Sequence, residues 1–382
     1  MANTDTRIKK TILLTKLRKY TMLIALVAIW LIFTMMTKGV FISSRNLSNL
    51  FLQSVAVAIV SLGMTLVIVT RNIDLSVGSV AALAGAMAAF LQVQLQWPTP
   101  MALLGALVLG MAIGAWHGFW IAYRYVPAFI VTLASMMIFR GAVLGLTKGA
   151  TIAPLSDSFR AIGQQFLPHD ISFIIGVLTV ISYIAYVIYK RRQRKKFGFT
   201  VAPLWSEILQ VVLVCAVIFF FFATLLRHRG LAYAVVLLMF LALLFHFISQ
   251  NTVFGRQLYA IGGNPDAAAL SGVNIRKRIM MLYVIFGVLT AIAGVVFTAR
   301  LNAATTSAGV GMELDVIAAS VIGGTSLMGG EGTVIGAIVG ALIMSSLDNG
   351  MSLMDTDITF QYVIKGLILL LAVWIDIATK KK

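Results

Sequence analysis

Apolar runs of about 18–23 residues recur along nearly the whole chain, each long enough for a helix to cross a hydrocarbon core of roughly 30 Å. They fall at 20–37, 47–69, 76–96, 101–122, 128–147, 171–189, 208–226, 231–249, 279–299, 313–329, 333–349 and 360–377. Backbone groups in lipid must be satisfied within the protein, which leaves helices or closed barrels, and unbroken apolar runs select helices. Burying all of them in a soluble core would leave too little polar surface, since 60% of the 382 residues are hydrophobic and only 11% are charged. The chain therefore reads as an all-α polytopic membrane bundle forming one domain over residues 1–382. Twelve spans are expected, with ten as the alternative. The glycines of 313–329 and 333–349, and the junction Gly329-Gly330-Glu331-Gly332, would equally suit a re-entrant hairpin, and removing that pair leaves the parity unchanged.

The first run follows a basic segment, but no small-residue cleavage site precedes Lys38-Gly39-Val40-Phe41, so it reads as a retained anchor rather than a signal peptide. Cys215 lies inside a span, and a single cysteine provides no disulfide framework. The net charge of +17 is distributed by side rather than gathered for nucleic acid. With an even number of spans, one side holds the basic residues of 1–19, Arg71, Arg124, the run 190–196, the basic residues of 251–278 and the tail at 379–382. The other side holds Lys38, Arg45, Lys148, Arg160, Arg227, Arg229 and Arg300. The positive-inside rule then places both termini and the segment 251–278 on the cytoplasmic side. Lys190-Arg191-Arg192-Gln193-Arg194-Lys195-Lys196 reads as a topological anchor on anionic lipid.

Residues 251–278 are a polar, glycine-punctuated island between two apolar stretches on that cytoplasmic side. Asn264 suits a helix N-cap, Pro265 the first helical position and Asp266 the positive end of the helix dipole, while Gly272 supplies a left-handed stop after Ser271. These residues specify a helix of about two turns, roughly 10 Å long. A helix that short does not hold its shape in water alone, so a docking element is expected.

Enzymatic chemistry has little footing here. His117, His169, His228 and His246 are scattered without metal-ligand spacing, and no Gly-x-x-x-x-Gly-Lys-Ser/Thr loop is present to cradle a nucleotide. No metal or cofactor is expected on this chain, and any ATP it depends on would be bound by another subunit. Gly110, Gly114 and Gly118, and likewise Gly332, Gly336 and Gly340, recur at a spacing that lets helix backbones approach, for ordinary packing or for lining a pore. Two polar breaks open spans: Asn72-Ile73-Asp74-Leu75-Ser76-Val77-Gly78-Ser79 and Glu313-Leu314-Asp315-Val316. Pairing Asp74 with Asp315 also matches Ser79 with Ser320, Val80 with Val321 and Met87 with Met328, in segments of opposite direction, as an inverted repeat would have it. Carboxylates at membrane level are costly, so Asp74, Glu313, Asp315 and Asp348 are candidates for a pathway or gate, with Ser76, Ser79 and Asn349 beside them. Simple capping by Asp74 and Asp315 is the competing account. Arg140 and Lys365 snorkel or pair and carry no assignment.

The sequence resembles the permease subunits of bacterial monosaccharide ABC importers of the ribose/xylose/arabinose type. The likeness runs through Ile73–Ser79, Tyr259–Pro265, Leu270-Ser271-Gly272, Glu313–Ala319 and Gly323–Leu327, and covers the chain from about residue 41 onward. Val126–Ala134, Leu347–Ser352 and Ala372–Lys380 are most similar to the xylose-type members, and 171–229 resembles the extra segment pair that sets them apart from ribose-type ones. The resemblance implies a homodimer of permeases in the bacterial inner membrane, a cytoplasmic ATP-binding subunit that uses ATP and Mg, and a periplasmic sugar-binding protein. It implies that Gly262, Gly263, Asn264, Pro265, Ala269, Leu270, Ser271 and Gly272 form the element that seats in the ATPase. Ala268-Ala269 stands where an arginine often follows the alanines.

The expected function is import of a monosaccharide, D-xylose first, by alternating access driven by ATP hydrolysis in the partner. A permease for several monosaccharides is the near alternative. An ion-coupled secondary carrier is the alternative from another class, but it has no use for a docking helix. A membrane-embedded enzyme is the third, and it lacks a convergent acidic, His or Cys cluster.

Overall fold

The computed structural model describes residues 22–201 and 203–380. The basic segment 1–19, the first two residues of the expected 20–37 span, and Lys381 and Lys382 of the tail lie outside the described residues. The described chain is helical: α1 Met22–Met36, α2 Ser44–Val69, α3 Val77–Val93, α4 Thr99–Gly118, α5 Ala128–Thr147, α6 Asp157–Gln164, α7 His169–Lys196 and α8 Leu204–Leu226. It continues through α9 Tyr233–Asn251, α10 Val253–Gly263, α11 Pro265–Leu270, α12 Ile275–Leu301, α13 Met312–Ile322, α14 Val334–Leu353 and α15 Ile358–Lys380. A π-helical turn, Phe119–Tyr123, prolongs α4.

Helix starts follow local chemistry. Ser43 caps α2, Thr252 caps α10, Asn274 caps α12 and Thr333 caps α14, each side-chain oxygen accepting a backbone N–H of the first turn. The buried centre is built on α2 and α12. Helix α4 lies against α12 at the glycines expected to allow it, because a Cβ at Gly110 or Gly114 would overlap the carbonyl oxygens of Gly287 and Tyr283. In the second glycine series, Gly336 and Gly340 face α13, but Gly332 precedes the Thr333 cap and is not part of the helix face. Helices α7 and α8 pack on each other at the periphery, and Phe221 meets Phe51 of α2 with ring centroids 4.7 Å apart.

Among the described residues nine helices are long and apolar enough to cross a membrane, and α1 and α3 are apolar but shorter. The expected span 313–329 is corrected by the structure. Its helix, α13, has 11 residues and at ~1.5 Å per residue covers only about 16 Å. Residues 323–333 complete the passage without helix, turning through left-handed Gly324, Gly329 and Gly330. The re-entrant alternative is not what the chain adopts. The Gly330 N–H reaches the Val69 carbonyl at 2.9 Å, at the end of the bundle where the island lies. Helix α14 then runs the full length to Asn349, which pairs with Asn46 at the opposite end. Asp376 of α15 accepts from Ser326 Oγ and the Leu327 N–H, so α15 finishes at the island end.

Candidate functional site

The island folds as a helix pair. Helix α10 is packed into the bundle by Phe254, Leu258 and Ile261, and Tyr259 donates its hydroxyl to the Gly332 carbonyl at 2.8 Å. Burial raises the pKa of that phenol above its ordinary value. Asn264 then leaves the helical conformation and caps α11, accepting the Ala267 N–H at 3.0 Å, with Pro265 in the first turn. Ser271 ends α11 and Gly272 takes φ +81°. Of the expected docking residues, Gly263, Asn264, Ala269, Leu270, Ser271 and Gly272 are exposed, and Leu270 is 90% exposed at the tip. Gly262 belongs elsewhere. It ends α10 inside the protein, where a Cβ would overlap the Val69 carbonyl and lie 2.6 Å from the Gly330 nitrogen. Pro265 is half-buried, and Ala268 anchors the inner face of α11.

Arg71, which the sequence places only on one side of the membrane, ties this region to the end of α2. It takes φ +64° directly after α2 and donates from Nε to the Gly262 carbonyl at 2.6 Å and from Nη2 to the Gly263 carbonyl at 2.8 Å. Three residues on lies the polar break. Asp74 is 1% exposed and accepts the Ser76 N–H at 2.8 Å and the Ser76 hydroxyl at 2.6 Å, which shapes the start of α3. Its other oxygen lies 3.6 Å from Nδ1 of buried His117 on α4. Ser79, in the first turn of α3, is buried and its hydroxyl has no partner.

The second break meets the first. The backbone of Gly309, in the non-helical stretch before α13, packs on Gly78 so closely that neither position has room for a Cβ, and the Glu313 carboxylate lies beside the same glycine. The register that pairs Asp74 with Asp315 thus joins a residue three before α3 to the fourth residue of α13. Asp315 and Asp348 come together through Lys365 of α15, whose ammonium lies 3.1 Å from Asp315 Oδ2 and 2.7 Å from Asp348 Oδ1. They border an open cavity of about 300 Å³ lined by α2, α12, the 307–312 stretch, α13 and α14. Asn349 is bound elsewhere: its amide exchanges two hydrogen bonds with that of Asn46, at 2.8 and 3.1 Å, and clamps α14 to α2.

The geometry is thus a membrane bundle with two interrupted helices in contact, a polar cavity beside them, and an exposed short helix wired to one interruption. The family described as branched-chain amino acid transport system / permease component matches residues 46–373, which include both the island and every cavity residue. The chain belongs to this permease family. It is 46% identical over 370 residues to the xylose transport system permease protein of Escherichia coli K12, covering 96% of this chain and 93% of that one. The protein of that description from Haemophilus influenzae is 45% identical over 366 residues, covering 96% and 98%. The ribose import permease protein of Escherichia coli K12 is 35% identical over 336 residues, covering 88% and 87%. No solved structure matches the chain.

Several permease residues that carry the geometry escape a reading of the sequence. Neither Lys365 nor Arg140 has a role legible in the sequence. Arg140 of α5 donates to the carbonyls of Thr306 and Ala308 at 3.2 and 2.8 Å, holding the stretch that leads to Gly309. His117 has no metal-ligand spacing in the sequence, and its neighbour in the fold is the Asp74 carboxylate. A basic residue inside an apolar run is the available signal for Arg140 and Lys365, because an intramembrane charge requires a partner.

Proposed function

We propose that the chain is the membrane-spanning subunit of an ATP-driven ABC importer for a monosaccharide, with D-xylose the first substrate. It works as a pair of copies with a cytoplasmic ATP-binding subunit and a periplasmic sugar-binding protein. The substrate rests on the names of the relatives at 46% and 45% identity. The 35% identity to a ribose permease supports the second reading, a permease accepting several monosaccharides.

The observation that carries the coupled mechanism is α11. A six-residue helix held to the bundle by Ala268 yet carrying a 90% exposed leucine at its tip suits a groove in a partner. In this reading the island end is cytoplasmic, α7's basic last turn sits on anionic lipid, and the α15 end lies inside with the island. ATP and Mg belong to the partner. Nucleotide-driven closure of that partner pushes α11 and α10, Arg71 passes the displacement to the Asp74 break, and the contact of Gly78 with Gly309 changes as the protein alternates its access.

Uptake of labelled D-xylose by proteoliposomes holding the complex, loaded with ATP and supplied with the binding protein, tests the reading. Transport that needs ATP and persists in protonophore and sodium ionophore is expected. Leu270→Asp should abolish it while the chain stays in the membrane. Uptake without the ATPase, driven by an ion gradient, would instead identify a secondary carrier.

A further inference from the structure

Helices α7 and α8 take no part in the path from α11 to the two breaks, and a groove opens between them. Phe173, Val177 and Ile181 of α7 and Phe219, Phe222 and Leu226 of α8 line a volume of about 260 Å³, and every side chain on its wall is apolar. Gly176 lets the two helices approach, since a Cβ there would lie 3.0 Å from the ring of buried Phe222. From Phe173 to Ile181 the groove runs about 12 Å at roughly 1.5 Å per residue, which fits one leaflet of a hydrocarbon core roughly 30 Å thick. Hydrocarbon rather than water reaches such a depth. An acyl chain laid in the groove gains dispersion contacts on two sides, which a smooth helix face does not give it.

One end of the groove is charged. Leu226 is followed by Arg227, His228 and Arg229, in a turn closed by the N–H groups of His228, Arg229 and Gly230 on the Leu225 carbonyl. This turn is fastened to the start of α7, because the Leu231 N–H donates to Ser172 Oγ at 3.0 Å and the Leu167 N–H to the Leu231 carbonyl at 2.8 Å. The Arg229 guanidinium lies 5.7 Å from the ring centroid of Phe166. The pKa of His228 lies below its ordinary value, first through partial burial and then through the positive charges of Arg229 and Arg45, so Arg45 at the start of α2 belongs to the same cluster. Arg45, Arg227 and Arg229 are exposed, and among the described residues none of them pairs with a carboxylate. Asp170, exposed in the first turn of α7, is not within pairing distance of them. Three arginines thus stand without a counter-charge at the end of the bundle opposite the island, beside an apolar groove. A soluble acidic partner would answer the arginines and leave the groove empty. A helix from a second copy would fill the groove and leave the arginines bare. A molecule with an anionic head and a hydrocarbon tail answers both, and guanidinium forks match phosphate oxygens in particular.

We propose that the α7–α8 groove and the basic turn at its end form a binding site for one anionic glycerophospholipid. Its phosphate accepts from Arg227 and Arg229, with Arg45 adding charge from α2, and one acyl chain lies in the groove between Phe173 and Ile181. The bound lipid links the peripheral α7–α8 pair to α2 through Arg45, so the hold of that pair on the bundle depends on membrane composition. This site is separate from the basic run at the other end of α7, and it does not depend on which solute the permease carries.

Photolabelling of the full-length chain in phosphatidylcholine nanodiscs tests it, with phosphatidylglycerol or phosphatidylcholine probes that carry a diazirine in one acyl chain. Peptide mapping should place the phosphatidylglycerol label on 173–181 and 218–226 at roughly fivefold or more the yield of the phosphatidylcholine probe. On α15, which is also exposed to lipid, the two probes should label alike. Arg227→Gln together with Arg229→Gln should bring the groove yield down to that of phosphatidylcholine. Val177→Trp, at an exposed position on the groove wall, should lower the yield of both probes there. Arg45→Gln, on a different helix, should lower the phosphatidylglycerol yield roughly twofold or more and keeps the test decisive if the double variant does not fold. Equal yields of the two probes in wild type, or an unchanged phosphatidylglycerol yield in the folded arginine variants, overturns the site. Unchanged labelling with weakened binding of a soluble acidic partner gives the arginines to that partner, and α7–α8 cross-links between two copies without lipid label give the groove to a second copy. Either result also overturns it.

Discussion

Arg71 grips the carbonyl of Gly262 at 2.6 Å across 191 residues of sequence, and its second arm takes Gly263. The island is thereby fastened to the residue that precedes the Asp74 break. Hydrogen bonds from a charged donor contribute roughly 1.5–3 kcal/mol, and a planar guanidinium meets two carbonyls where an ammonium meets one. Arg71→Lys is expected to cut ATP-driven uptake roughly tenfold while ATP hydrolysis by the complex continues. Arg71→Ala should cut it further. Equal losses of uptake and hydrolysis would mean that the side chain only stabilises the assembly.

Gly262 and Gly263 are neighbours with opposite tolerances. A Cβ at Gly262 would run into the Val69 carbonyl, where α2, α10 and the 323–333 stretch meet, whereas the space around Gly263 is open. Overpacking of this kind costs roughly 1–3 kcal/mol. Gly262→Ala should lower the unfolding temperature in detergent by several degrees. Gly263→Ala should stay within roughly 0.5 kcal/mol of wild type, as exposed substitutions do. Fluorescence-monitored thermal unfolding of the two proteins side by side checks the contrast.

This contrast marks how far the sequence could be read. Membrane helices and the Asn264-Pro265 to Gly272 element were legible because each depends on neighbours within a turn or on a long apolar run. The length of α13 was not, because hydropathy does not separate a full span from a shorter helix followed by a glycine-rich turning segment. The rarity of charge in lipid singles out Asp74, Asp315 and Asp348 in the sequence, and the structure places them buried or half-buried, but the sequence gives no partners for them. Those partners come from distant segments: His117 for Asp74, and Lys365, 50 residues away, for Asp315. Asn349 follows Asp348 in sequence, but consecutive helical residues point in different directions, and it faces α2.

Asp74 does two things that one substitution separates. It shapes the start of α3 by accepting from Ser76, and it faces His117 with its other oxygen. Asn retains an acceptor for the first role, since Asn and Asp cap comparably, but brings no charge to the second. If the pairing with His117 contributes to the moving break, Asp74→Asn should fold normally and transport at a small fraction of the wild-type rate. Asp74→Ala should lose both transport and stability, the latter by about 1 kcal/mol or more. Near-normal uptake by Asp74→Asn would reduce the residue to a cap.

Lys365 offers the sharpest test of the far-end cluster, because α15 lies on the outside of the bundle and no residue in its most apolar window is buried. Removing the ammonium leaves Asp315 and Asp348 facing each other unpaired. A fully buried pair so broken costs roughly 3–5 kcal/mol, and the 36% exposure of the Asp348 side chain places this loss below that range. Lys365→Met should therefore destabilise the chain measurably, and adding Asp348→Asn should return part of the loss by removing one of the stranded charges. A double-mutant cycle on thermal stability in detergent measures that recovery, expected at 0.5 kcal/mol or more for groups in direct contact, on the order of couplings within an ion network. Additive losses would mean that Lys365 reaches solvent or lipid headgroups in the membrane and that the two carboxylates are held apart by the backbone alone.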